Sequence, residues 1–72
     1  MMNMQMMDVV DRILNALTND PRTKDAKIEV ANERGIVTLN GTVAQENIRQ
    51  AAEEIAKQQQ GVITVIDEIK VK

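Results

Sequence analysis

Two runs of alternating polarity, AKIEVAN and IVTLNGTV, meet across the short segment NERG. In the first, Ile28 and Val30 take one face and Lys27, Glu29 and Ala31 the other; in the second, Val37, Leu39 and Val43 share a face. Period-two alternation on both sides of a glycine-bearing turn predicts a β-hairpin, with Gly35 free to take positive φ in the turn. The hairpin's apolar rows need cover, and the rest of the chain has to supply it. Gly41 is an anomaly, because it lies in the inward row, where glycine weakens a strand and packs nothing.

The cover comes from two segments of helical spacing. In DVVDRILNALT (residues 8–18), Val9, Val10, Ile13, Leu14, Ala16 and Leu17 fill one arc of a helical wheel. Asp8, Asp11, Arg12, Asn15 and Thr18 fill the other, with Asp8 and Arg12 at i,i+4. Met2 and Met6 continue the apolar stripe backward, so this helix is expected to begin before Asp8. Pro21 ends it by pushing Asp20 out of helical geometry. In QENIRQAAEEIAKQQ (residues 45–59), Ile48, Ala51, Ala52, Ile55 and Ala56 make the apolar face, and Glu53 pairs with Lys57. Gly61 is placed to end this helix. A last strand, VITVIDEIKVK, keeps Val65, Ile69 and Val71 in one phase.

The expected order is αββαβ, an α+β fold with a three-stranded sheet and both helices packed on one face. In that arrangement Gly41 has a reason: with the second helix presenting mostly alanines, small residues on both sides let helix and sheet approach closely. Residues 1–7 read as a flexible methionine-rich start, and residues 8–72 as the domain.

The composition excludes several functions. A 72-residue chain without cysteine has neither the length nor the disulfides for more than a modest core, drawn here from eight valines, eight isoleucines and three leucines. Association with a second copy or a partner would add stability. Nine basic and eleven acidic residues are too balanced for nucleic-acid binding, and the absence of Phe, Tyr and Trp removes base-stacking platforms. No apolar run approaches the roughly 20 residues of a spanning helix. The start MMNMQMM lacks the parts of a signal peptide, which predicts a cytoplasmic protein, or a periplasmic one if the chain is a domain of an exported precursor. Without His, Cys, Ser or Tyr the usual nucleophiles and neutral-pH bases are missing, so an enzyme is not expected, nor a zinc site or other metal or cofactor.

The run GIVTLNGTV, the alanine-rich helix and GVITVIDEIKV together resemble the BON domain, named for bacterial osmotically inducible and nodulation proteins. The matching positions are Gly35, Val37, Leu39, Gly41 and Val43, then Ala52 and Ala56, then Gly61, Val62, Val65, Ile69 and Val71; ILNALTNDPRTKDAKIEV matches the family's first helix and strand. The resemblance spans residues 8–72. It implies an αββαβ fold without enzymatic activity. It also implies phospholipid binding, support of the envelope under osmotic stress or, in one cytoplasmic branch, potassium sensing.

Three places are candidates for contact. The polar face of the first helix (Asp8, Asp11, Arg12, Asn15) is the element that lipid-binding members present to membranes. The loop DPRTKDAK brings Arg22 and Lys24 near Lys27 and is the second candidate for a lipid or protein contact, although Asp20 and Asp25 are interleaved. Asp67 falls in the inward phase between Val65 and Ile69; a strand-end or bulge position accepting backbone N–H bonds accounts for it, and a single oxygen ligand to a cation is the alternative. The outer sheet face, with Ile36 and Ile66 near its borders, and the free strand edges suit self-association or a partner strand. The leading expectation is a non-enzymatic binding or assembly module acting as a homo-oligomer or with a protein partner. A peripheral phospholipid binder and a potassium-responsive module are the alternatives.

Overall fold

The computed structural model describes residues 8–72. The methionine-rich start, and with it any helix beginning before Asp8, lies outside the described residues. The elements run α1 (Val9–Asn19), β1 (Ile28–Glu33), β2 (Ile36–Val43), α2 (Glu46–Lys57) and β3 (Thr64–Val71). The sheet order is β1-β2-β3, with β1 antiparallel and β3 parallel to β2. α2 is the crossover that parallel pairing requires.

α1 starts where a side chain satisfies its first free amides. Asp8 is the N-cap, and its Oδ1 accepts from the Asp11 N–H at 3.0 Å. At the other end Asp20 is extended (φ −95°, ψ 126°), as a residue before proline should be. Thr23 then folds back, fully buried, and its hydroxyl donates to the Leu17 carbonyl at 2.6 Å. That contact occupies one of the orphan carbonyls of the last helical turn.

The hairpin is tighter than NERG suggested. Asn32 and Glu33 belong to β1, Glu33 pairs with Ile36, and only Arg34 (φ 56°) and Gly35 (φ 91°) form the loop. Positive φ at both central residues is the mark of a type I′ turn, whose twist matches that of the strands. Asn32 Oδ1 accepts from the Gly35 N–H at 2.9 Å and braces the turn.

Both helices lie on one side of the sheet, α1 over β1 and α2 over β3 and β2. The core joins Ile13 and Leu17 to Ile28, Val37, Leu39, Val43 and Ile69, with Ala51, Ala52, Ile55 and Ala56 of α2 above them. Ala52 and Ala56 are completely buried, which lets α2 sit low on the sheet. Two expected core residues are in the open. Leu14 is 39% exposed on one flank of α1, and Val71 is 42% exposed at the end of β3, past the reach of the helices.

Two glycines act differently from expectation. Gly61 does not end α2: the helix stops at Lys57, Gln58 closes it in right-handed geometry, and Gly61 (φ 94°) bends the following turn beneath Val9 and Arg12. Gly41 does not make room for α2. A Cβ at this position would lie 2.7 Å from the Lys27 carbonyl oxygen and 3.5 Å from Ile28 Cα, both in the backbone leading into β1. Its φ of +143° is one that other residues rarely adopt.

Candidate functional site

The densest group of charged side chains joins α2 to β3. Asp67 sits within an unbroken β3 register opposite Leu39, neither at a strand end nor at a bulge. Its side chain is only 7% exposed. Oδ1 accepts from the Ile69 N–H at 3.0 Å, as backbone acceptance predicted, and Oδ2 accepts from Arg49 Nη1 at 3.0 Å. Arg49, one turn into α2, also forks onto Glu46 through Nε (2.9 Å) and Nη2. Further along the helix Lys57 pairs with Glu53 at 3.2 Å, the i,i+4 pair read from the sequence. The cation beside Asp67 is therefore the chain's own guanidinium.

Burial pushes the Asp67 carboxyl up from its ordinary 3.8, and the nearby Glu53 carboxyl adds to this, while the Ile69 N–H and Arg49 pull it down. Glu53 is held below its ordinary value, chiefly by Lys57. A carboxyl whose folded pKa is raised contributes stability that is present below its unfolded pKa and lost as pH rises through the folded one. The parent protein should therefore gain on an Asp67→Asn variant as pH falls from neutrality toward and below 3.8. Paired thermal melts at several pH values measure the difference; a gap that is constant, or that moves the other way, would show that Asp67 ionises unhindered.

The contact candidates of α1 and the following loop are spread out and largely engaged. Asp8 caps the helix, and Asp11 and Asn15 are exposed along it. Arg12 is half-buried, with Nη2 donating to the Gln60 carbonyl at 2.6 Å, which ties α1 to the turn after α2. Arg22 clasps Asp20 with Nε and Nη2 at 3.0 and 2.9 Å and reaches Glu54 at 3.5 Å. Asp20 is held below its ordinary value, chiefly by that clasp. Lys24 is exposed. Neighbouring carboxylates thus already balance the loop's arginine. A groove of about 610 Å³ runs between this loop and the start of α2, lined by Arg22, Asp25 and Lys27 on one side and by Val43, Ala44 and Ile48 on the other.

The face of the sheet opposite the helices is uncovered. Ile36 and Ile66 are each 44% exposed there, and they border a shallow hollow with Ala31 and Thr38. Ile63, at the same end of the molecule, is 78% exposed. Each outer strand has an edge that no strand among the described residues pairs. Sequence reasoning found this face through alternation alone; it missed Arg49, because pairing with Asp67 needs the tertiary contact of α2 with β3, and it missed Thr23 and Ile63.

No helix among the described residues is long and apolar enough to cross a membrane, and no group of three or more His, Cys, Asp or Glu side chains among them could hold a metal ion. The family model for the BON domain matches residues 8–72, nearly the whole chain. Such domains are known as binding modules and are generally non-catalytic. No curated protein matches the chain.

Proposed function

From the premise that this chain belongs to the BON domain family, we propose that it is a non-enzymatic assembly module that binds protein, a second copy of itself included, through the side and edges of its sheet that the helices leave bare. The observation that carries this reading is the one-sided architecture: both helices cover one face, and the other keeps Ile36 and Ile66 at the surface beside strand edges that no strand among the described residues pairs. Exposed apolar residues next to free backbone donors and acceptors are what strand and sheet partners recognise. A phospholipid surface is the competing target. It would need a basic rim on α1, whereas Arg12 donates to the Gln60 carbonyl and Arg22, exposed in the following loop, is already clasped to Asp20.

Sedimentation velocity from low to high micromolar concentration, together with co-sedimentation on anionic vesicles at low salt, separates the two. The expected result is a mass that rises with protein concentration and protein that stays in the supernatant. A monomer at every concentration that pellets with vesicles would replace this reading with the lipid one.

A further inference from the structure

We infer that the exposed edge of β1 pairs with the same edge of a second copy, antiparallel about Val30, to make one continuous six-stranded sheet. The inference rests on the assembly reading above and specifies its surface.

The two sheet edges are not equivalent. Gly35 and Val43 carbonyls accept from Thr64 and Lys72, so the odd-numbered residues of β2 turn their backbone groups toward β3 and the even-numbered ones toward β1. The β1 partners of Ile36, Thr38 and Asn40 are Glu33, Ala31 and Glu29. The N–H and C=O groups of Ile28, Val30 and Asn32 therefore point outward from the sheet. By the same parity the outward groups of β3 belong to Val65, Asp67, Ile69 and Val71. There the Ile69 N–H is already held by the Asp67 carboxylate, in the middle of the edge. An inward-facing charge of this kind is one way proteins blunt an edge. Among the described residues no side chain does the same for β1.

The charges on β1 select one register. Lys27, just before the strand, shares the outer face with Glu29, Ala31 and Glu33, and neither Lys27 nor Glu33 takes part in an ion pair among the described residues. Pairing about Val30 sets Ile28 against Asn32 of the other copy and Val30 against Val30, using every outward group in about six hydrogen bonds. It also sets Lys27 against the other copy's Glu33, twice, and Glu29 against Ala31. Shifting the two-fold by one residue either way, the smallest change that keeps outward groups facing each other, opposes Glu29 to Glu29 or Glu29 to Glu33, like charges that destabilise a cross-strand pair.

The exposed Leu14 fits the same geometry. On α1 it lies on the flank opposite Arg12, and the Arg12 flank faces the turn after α2. α1 covers β1, so the Leu14 flank is the one next to the β1 edge. Two-fold pairing brings the two Leu14 flanks toward each other and gives that side chain an apolar neighbour.

A charge exchange tests the register. Lys27 and Glu33 are six residues apart on one extended segment, about 20 Å, too far to attract each other within a chain. Lys27→Glu and Glu33→Lys should each weaken dimerisation at least about tenfold, and the double variant should return it to within about threefold of the parent. Both side chains are exposed, and unchanged melts at low concentration check that the variants fold. Amide exchange should slow at Ile28, Val30 and Asn32 as concentration rises. A parent dimer indifferent to the exchanges would overturn this register, and one that also left exchange at Ile28, Val30 and Asn32 unchanged would overturn the β1 edge, while assembly would stand. A parent that stays monomeric to high micromolar concentration would overturn both this pairing and self-association.

Discussion

Replacing Gly41 with valine is expected to leave most of the protein unfolded under conditions where the parent is folded. The added Cβ would lie 2.7 Å from the Lys27 carbonyl oxygen, and that atom belongs to backbone, so no side chain can swing aside. The φ of +143° adds strain of about 1–3 kcal/mol for a residue with a side chain, and overpacking adds about as much again. Domains of this length have roughly 5 kcal/mol to lose. Circular dichroism melts of Gly41→Val, and of Gly41→Ala as the milder case, measure the effect. A loss under about 1 kcal/mol for valine would show that the strand shifts freely at this point. Trimming α2, for instance at Ile55, should not rescue the variant, because the obstruction lies at the entry to β1 and not in the helix.

Leu39→Ala should cost about 2–5 kcal/mol, the range for deleting three buried carbons where the surroundings cannot close in. Leu39 is completely buried in the central strand, paired with Val30 on one side and Asp67 on the other, with the helix layer above. Strands on both sides hold the backbone in place, so the cavity stays open. Ile36→Ala, at the start of the same strand, removes a side chain that is 44% exposed and should cost well under half as much. Denaturant titrations of the two variants provide the comparison. Equal losses would mean that the inner and outer faces of β2 are not as distinct as the register requires.

Alternation and helical spacing were enough to read the order of elements, the bounds of β2 and the one-sided placement of the helices. These are properties of neighbouring residues: a strand turns every second side chain the same way, and a helix every third or fourth. The limits of that reading appear at particular positions. Leu14 belongs to the apolar arc of α1, yet the arc is wider than the surface available to cover it, so its outer flank stays in solvent. Asp67 has the phase of a core residue and no local sign of a partner; the partner, Arg49, lies 18 residues earlier and arrives only when α2 crosses over the sheet.

The candidate surface divides in the same way. Ile36 and Ile66 were legible as outward-facing from their phase. The difference between the two sheet edges was not, because it depends on which backbone groups each strand spends on its neighbour and on the Asp67 carboxylate turning back to the Ile69 amide. Nor were the roles of Arg12 and Arg22 legible, since a charged residue on a helix face or in a loop reads the same whether its partner is solvent or a carbonyl 48 residues away.

Sequence alone determined the periods, and through them the elements, their order and the inner and outer rows of the sheet. Tertiary structure decided why residue 41 must be glycine, which cation lies beside Asp67 and how the backbone groups of the two sheet edges differ. The physical reason is range: periodicity is carried by bonded neighbours, whereas steric exclusion, ion pairing and the direction of backbone donors depend on atoms that are distant along the chain and meet only in the fold.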